Sequence, residues 1–232
     1  MRILGIESSS LVASAAVVTD DILTAEYTVN FKKTHSQTLL PMIDQVAQML
    51  ELDMDTIDAI AVSGGPGSFT GLRIGSATAK GLGLALKKPL IHVPTVDAMA
   101  YNLYGCSSLI CPIMDARRNQ VYTGIYRFEQ EFSIIKPQCP MDMKELALEL
   151  NQMGQPVVFL GDGVPVYQEI IRETMTVPYS FAPAHCNRQR AGAVAALGAV
   201  YYGEGKVKSA ADHGPDYLRK SQAEREREGI SL

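Results

Sequence analysis

The chain has 232 residues, 47% of them hydrophobic, and a formal net charge of −4. That composition suits a globular protein large enough for one big core or two small ones. It carries no basic block of the kind that would grip nucleic acid unaided. Glu7 interrupts any signal-peptide core and no apolar run is long enough to span a bilayer, so a cytoplasmic protein away from membranes is expected. Cys106, Cys111, Cys139 and Cys186 have no Cys-x-x-Cys spacing and read as reduced, buried thiols.

In chain order, residues 3–6 form a short apolar strand ending at Glu7. Ser8–Ser10 make a turn, and strands follow at 12–18 and 22–31. Thr34 or Ser36 caps a helix that reaches Glu51, with Pro41 tolerable near its start. Leu39, Met42, Ile43 and Val46 form its apolar stripe, and Leu40, Ala47 and Met49 fall outside that stripe. Part of this apolar girth is therefore expected to stay uncovered in the isolated chain.

A buried strand at 57–62 then leads into Ser63-Gly-Gly-Pro-Gly-Ser-Phe-Thr-Gly-Leu-Arg-Ile-Gly75 and a helix over 72–86. A glycine loop between strand and helix can present N–H groups to an anion. Gly64, Gly65 and Gly67 fit neither the P-loop nor the Rossmann spacing, so a phosphate cradle and a plain tight turn both remain open. Gly71, Gly75, Ala79 and Gly83 recur every four residues along one helix face. Each interior glycine costs about 1 kcal/mol relative to Ala, so the stripe implies close approach by another element. That element is either the chain's own sheet or a second protein.

A strand at 89–92 closes the first half. The second half repeats the order: strands at 109–114, 120–126 and 132–136, a helix at 141–153, a strand at 156–160 closed by Gly161-Asp162-Gly163, a helix at 167–174, a strand at 177–181 and a helix at 190–202. The duplication predicts an α/β protein of two lobes, 1–105 and 106–232, with the last helix and tail free to pack back on the first. In each lobe three strands pair antiparallel and later ones join in parallel. This is the plan of the actin/Hsp70/hexokinase (ribonuclease H-like) fold, whose nucleotide lies between the lobes, an analogy of architecture only. The tail beyond Arg219 reads as solvated charge.

Chemistry candidates are few. His35, His92, His185 and His213 are far apart in sequence and form no His-x-x-x-His pair, so no metal site is predicted. No nucleophile elbow surrounds Ser8 or Ser68. Glu7 and Asp115 end the first strand of each lobe, either as a carboxylate pair across a cleft or as solvent-facing strand ends. With Ser8, Gly64, Gly65, Gly67 and Ser68 they define a vestigial nucleotide cleft. The residue-level reading is a binding module with a degenerate cleft and no catalytic residue. Its rival is an ATP-dependent kinase-like phosphotransferase using Asp115 or Asp162.

Residues 2–10, 33–41, 64–75, Asp115-Ala-Arg117 with Val121-Tyr122, and Asp216-Tyr-Leu-Arg219 together resemble the bacterial TsaB (YeaZ) family. The resemblance implies a non-catalytic partner of the threonylcarbamoyltransferase TsaD, acting also with the ATPase TsaE. Their joint product is N6-threonylcarbamoyladenosine beside the anticodon of tRNAs reading codons that begin with A. It implies contact with tRNA only through the complex, a homodimer when alone, and ATP or ADP only at the level of the complex. It places the partner or dimer interface on Leu39, Met42, Ile43, Val46, Gly71, Arg73, Gly75, Ala79 and Gly83. Bulky replacement of Gly71 or Gly75 is then expected to abolish partner binding and leave the lone chain folded.

Overall fold

The computed structural model describes residues 1–32 and 34–218; the charged tail read from the sequence lies outside them. Strands β1 (Arg2–Glu7), β2 (Val12–Thr19) and β3 (Ile22–Asn30) form an antiparallel meander, followed by helix α1 (His35–Met49). Then come β4 (Ala59–Ser63), α2 (Phe69–Leu86), β5 (Leu90–Val93) and a short helix α3 (Thr95–Tyr101). The pattern repeats as β6 (Leu109–Asp115), β7 (Gln120–Phe128), β8 (Phe132–Asp142), α4 (Met143–Met153), β9 (Val157–Leu160), α5 (Val164–Thr174), β10 (Tyr179–Phe181) and α6 (Ala191–Gly203).

Each lobe is one five-stranded sheet, ordered β3-β2-β1-β4-β5 and β10-β9-β6-β7-β8. In the first, β2 pairs antiparallel with β1 and β3, and β4 joins β1 and β5 in parallel. The second copies this with β6 and β7 antiparallel and β6, β9 and β10 parallel. The fold is thus the two-lobed duplicated α/β architecture that the element order implies.

Several boundaries differ from the sequence reading, each for a physical reason. Strand β8 continues past Lys136 through Pro137 and Pro140, which an edge strand tolerates because its outer N–H groups pair with nothing. Helix α2 starts at Phe69, where Ser68 caps it by accepting the Gly71 N–H. Helix α3 is seven residues long and buried from Thr95 to Ala100, too short and too evenly apolar to show a helical period. Helix α1 starts at His35, so Pro41 lies inside it on the exposed face.

Helices α1 and α2 cover one face of the first sheet, and α4 and α5 cover the matching face of the second. The remaining faces meet α3 and α6. Helix α6, in the sequence of the second lobe, lies on β1, β2 and β4 of the first. Gly5 and Gly198 permit that approach: a Cβ at Gly5 would lie 2.4 Å from the Ala191 carbonyl, and one at Gly198 2.6 Å from Ala61 Cβ. Between the lobes the Asp97 carboxylate accepts from Tyr126 (2.6 Å) and from Tyr201 (3.3 Å), tying α3 to β7 and α6. Burial holds the Asp97 carboxyl above its usual range, with the two tyrosine bonds opposing the shift.

The glycine stripe settles the alternative left open by the sequence. Gly71, Gly75, Ala79 and Gly83 all face inward. A Cβ at Gly71 would lie 2.1 Å from the Ser8 carbonyl oxygen, one at Gly75 2.2 Å from Ser8 Oγ, and one at Gly83 2.9 Å from Ala210 Cβ. Leu39, Met42, Ile43 and Val46 likewise sit in the first lobe's own core. Of the expected interface residues only Arg73 is exposed; the rest pack on their own chain, because the stripe that looks sticky in sequence is the one the sheet already needs. Gly71→Val and Gly75→Val are therefore expected to destabilise the isolated chain by about 3 kcal/mol. Denaturant midpoints of the purified variants check this; a wild-type midpoint would restore the stripe to an open interface.

Candidate functional site

A cleft of about 850 Å³ opens between the lobes at the carboxyl ends of their central parallel strands, where open α/β sheets place ligand sites. One wall holds Ser9, Ser10 and His35 with Pro66, Gly67, Ser68 and Phe69. The other holds Asp115, Arg117, Arg118, Tyr122 and Asp162, and Asp216, Tyr217 and Leu218 rim it. Gly67, Ser68 and Asp115 thus line the cleft as the sequence suggested, while Glu7, Ser8, Gly64 and Gly65 are buried beneath it.

The glycine loop is packed shut. The Ser8–Ser9 turn wedges against it, and the Ser68 N–H donates to the Ser9 carbonyl (2.6 Å). Gly64 N–H donates to Val93 O (2.8 Å), Gly65 N–H to Thr95 Oγ1 (3.2 Å), and Gly71 N–H to Ser68 Oγ (3.2 Å). Four N–H groups of this stretch are thus bonded within the chain, as a tight turn requires. A Cβ at Gly67 would lie 2.2 Å from the Ser9 carbonyl oxygen, which is why that position is glycine.

Glu7 does not face solvent as a strand end. It is 1% exposed, and its Oε1 accepts from Ser9 N–H (2.5 Å) and Ser9 Oγ–H (2.6 Å) while Oε2 finds no partner among the described residues. Burial pushes its carboxyl up to about 7, against the lowering effect of the Ser9 and Ser63 bonds. Across the cleft Asp115 is anchored: Oδ1 accepts from Tyr167 OH (2.8 Å) and from Arg117 N–H (2.8 Å). Asp162 accepts from Gln189 Nε2 (3.1 Å), and burial raises its carboxyl too.

The turn between β6 and β7 is unusual. Arg117, Arg118 and Asn119 all have positive φ, at 67°, 58° and 59°. Two arginines in this left-handed region cost about 1–2 kcal/mol each. Their backbone is held by Asp115, by Gln120 N–H on Arg117 O (3.1 Å) and by Ala116 N–H on Gln120 O (2.9 Å). Arg188 and Arg190 are engaged within the chain: Arg188 donates to Gly161 O and Asn187 O, and Arg190 pairs with Glu26.

Sequence reasoning missed the strap 206–218, which has no periodicity to betray it. Lys208 and Leu90 exchange backbone bonds, Lys80 Nζ donates to Ala211 O and His213 O, and Tyr217 stacks on Phe69 at 4.7 Å. Its one signal was the Asp216-Tyr217 pair in the family-like motif. The histidines serve this packing: His213 Nδ1 meets Ser76 Oγ (3.0 Å), His92 Nε2 lies 3.0 Å from Asp216 Oδ2, and His35 Nε2 meets Ser10 O (2.7 Å). Among the described residues no three His, Cys, Asp or Glu side chains converge as ligands for a metal. None of the helices among them is long and apolar enough to cross a membrane.

A family model described as tRNA N6-adenosine threonylcarbamoyltransferase, TsaD, matches residues 26–227. The chain is 33% identical to the tRNA threonylcarbamoyladenosine biosynthesis protein TsaB of Bacillus subtilis, over 97% of this chain and 96% of that one. It is 27% identical to TsaB of Escherichia coli, over 96% of each. The solved structure of YeaZ from Pseudomonas aeruginosa superposes with a TM-score of 0.81 at 24% identity, covering 94% of this chain and 99% of that one. The ethanolamine utilization protein EutJ of Carboxydothermus hydrogenoformans shares the fold at a TM-score of 0.53 and 11% identity, covering 85% and 90%.

The Glu7 carboxyl supplies a pH test. Its folded pKa lies above the ordinary carboxylate value of 4.5, so its contribution to stability is fully present below about 4.5 and is lost as pH rises through about 7. The loss is at most about 3 kcal/mol at 1.36 kcal/mol per unit. Glu7→Gln should therefore be more stable than the parent at pH 8 and no more stable at pH 4.5. Urea midpoints at the two pH values read the difference; equal shifts at both would remove the buried-carboxyl account.

Proposed function

The chain belongs to the TsaB family of tRNA threonylcarbamoyladenosine biosynthesis proteins, and from that premise we propose that it is a non-catalytic activator subunit which binds TsaD. In this reading it acts in the cytoplasm, with TsaE as the ATPase of the assembly, and it meets tRNA through the complex. Alone it pairs with a second copy of itself through the surface that TsaD would occupy.

The observation that carries this reading is the outer face of the two adjacent helices α1 and α2. Their inward stripes are used by the sheet, yet their outer faces still carry apolar and small residues. Leu40, Met49 and Leu84 are 55%, 75% and 61% exposed. Ala77 and Gly81 lie on the same outer side of α2, and a Cβ at Gly81 would meet nothing within 4 Å. A glycine that costs helix stability and relieves no internal clash is explained by another helix approaching closely. Arg73 projects beside them, its guanidinium 3.8 Å above the Phe69 ring and its Nε donating to Tyr217 OH (3.2 Å). A preorganised arginine amid apolar neighbours is typical of an interface centre.

The non-catalytic part is supported by the use of each candidate group. Three histidines are engaged in packing contacts, and the glycine-loop donors named above are bonded internally. Asp115 is held by Tyr167, which favours a positioning role over phosphoryl transfer. The kinase-like alternative gains no specific support from this cleft.

Nucleoside mass spectrometry of bulk tRNA tests the assignment. Depletion of the protein should remove N6-threonylcarbamoyladenosine, and re-expression of the parent should restore it. Leu84→Glu combined with Met49→Glu should fail to restore it and fail to co-purify TsaD, while the lone variant keeps its stability within about 0.5 kcal/mol, as surface changes do. Unchanged modification on depletion would overturn the functional reading; restoration by the double variant would move the interface elsewhere.

A further inference from the structure

A second hollow, of about 630 Å³, lies where helix α6, the end of α3 and the β2–β3 turn meet. None of the residues lining it lines the interlobe cleft. Its floor is the small-residue side of α6, with Gly192, Ala193, Ala196 and Ala199. Val18 and Leu23 line it from the first sheet, and Tyr101 and Tyr104 from α3 and the turn after it. Leu23, Tyr104 and Val200 are 44%, 64% and 43% exposed, so an apolar surface is left open here.

The two tyrosine rings are held in place from behind. Their centroids are 5.5 Å apart at 64°, with Phe128 4.6 Å from Tyr104 and Phe132 5.5 Å from Tyr101. The cations beside the hollow are already matched: Arg190 by Glu26, its Nε 3.1 Å from Oε2, and the Met1 amine by Asp20. Asp21 lines the hollow and has no ion pair among the described residues. Asp20 and Asp21 both have positive φ, at 46° and 66°, as a two-residue hairpin turn requires, and this fixes where that carboxylate stands. Its charge reaches the Tyr101 hydroxyl: burial first, then Tyr104 and Asp21, hold that phenol above its usual range. An unmatched carboxylate beside rigid aromatic rings attracts a cation, since ring faces carry negative potential. The alanine floor beyond gives methylene groups an apolar bed. Together these features complement an ammonium group on an aliphatic stem.

We propose that this hollow binds a free alkylamine, a diamine or polyamine, with one ammonium group at Asp21 and Tyr104 and its methylene chain along α6. The site does not depend on the activator role proposed above. It is built by this chain alone, and no residue of α1 or α2 lines it.

The test uses the full chain with 1,5-diaminopentane and spermidine as probes, each followed by calorimetry and by amide NMR shifts. The control probe is 1,5-pentanediol, which has the same stem and no charge. The amines should bind saturably and the diol should not. Asp21→Asn keeps a residue suited to positive φ and removes the charge, so it should weaken binding about five-fold. Tyr104→Leu should weaken it about three-fold and Tyr104→Phe should leave it unchanged, because the ring face and not the hydroxyl meets the cation. Glu169→Gln, on the exposed side of α5, should have no effect. Shifts on the parent chain should gather at residues 20–23, 101–104 and 192–200. Binding of either amine there supports the site, and the tighter of the two gives the preferred length. The proposal fails if neither amine binds, if the diol binds as tightly, or if the two Tyr104 variants bind equally. It fails too if Glu169→Gln weakens binding as much as Asp21→Asn, since general charge would then hold the amine. Should Asp21→Asn not fold, the Tyr104 variants and the shift map decide without it, and shifts gathered elsewhere overturn the site.

Discussion

The contact on which the first lobe and the cleft both depend is the wedge of Ser8 and Ser9 into the face of α2. A helix can approach a strand-end turn this closely only where side chains vanish, at Gly67, Gly71 and Gly75. In return, Ser8 Oγ donates to Gly71 O (2.9 Å) and the Ser9 carbonyl takes the Ser68 N–H at the helix entrance. The same wedge buries Glu7 and aligns β1 with β4 beside it. The same contacts thus fix the entrance of α2 and the floor of the cleft.

A second constraint joins the lobes. Helix α6 is apolar nearly all round because most of it is covered, the first sheet lying under it and α3 against it, with Val200 left exposed. The Asp97 carboxylate then receives one tyrosine from β7 and one from α6. A buried carboxylate with two hydroxyl donors tolerates little displacement, since losing either leaves an unmet acceptor at a cost of about 1–3 kcal/mol. The cleft walls are therefore held at a set spacing from behind, through a network whose members come from 97, 126 and 201.

Much of the architecture was legible in the sequence, because duplicated strand–strand–strand–helix order survives without any knowledge of contacts. The period of Leu39, Met42, Ile43 and Val46 located a helix and its buried face correctly. That same stripe packs on the lobe's own sheet, which periodicity could not announce, since it reports which face is buried and is silent on what buries it. Glu7 was legible as a strand-end carboxylate and illegible as a buried one, because the Ser8–Ser9 turn beside it is pressed against α2, some sixty residues away in sequence. The strap and α3 went unseen because neither has a period: one is irregular and the other is buried all round. Arg117 and Arg118 were visible as residues, but the left-handed backbone that displays them is a property of coordinates.

Helix α2 shows how one element can meet both demands. Its inward face is made of glycine and alanine because Ser8 and Ala210 press against it, and this fixes Gly71, Gly75, Ala79 and Gly83. Its outward face carries Arg73, held by Phe69 and Tyr217, together with Ala77, Gly81 and Leu84, which stay exposed. The two sets of small residues on one helix thus differ physically: a Cβ on the inward set would collide with Ser8 or Ala210, whereas one at Gly81 would meet nothing within 4 Å. Internal packing accounts for the first set and leaves the second on an open surface.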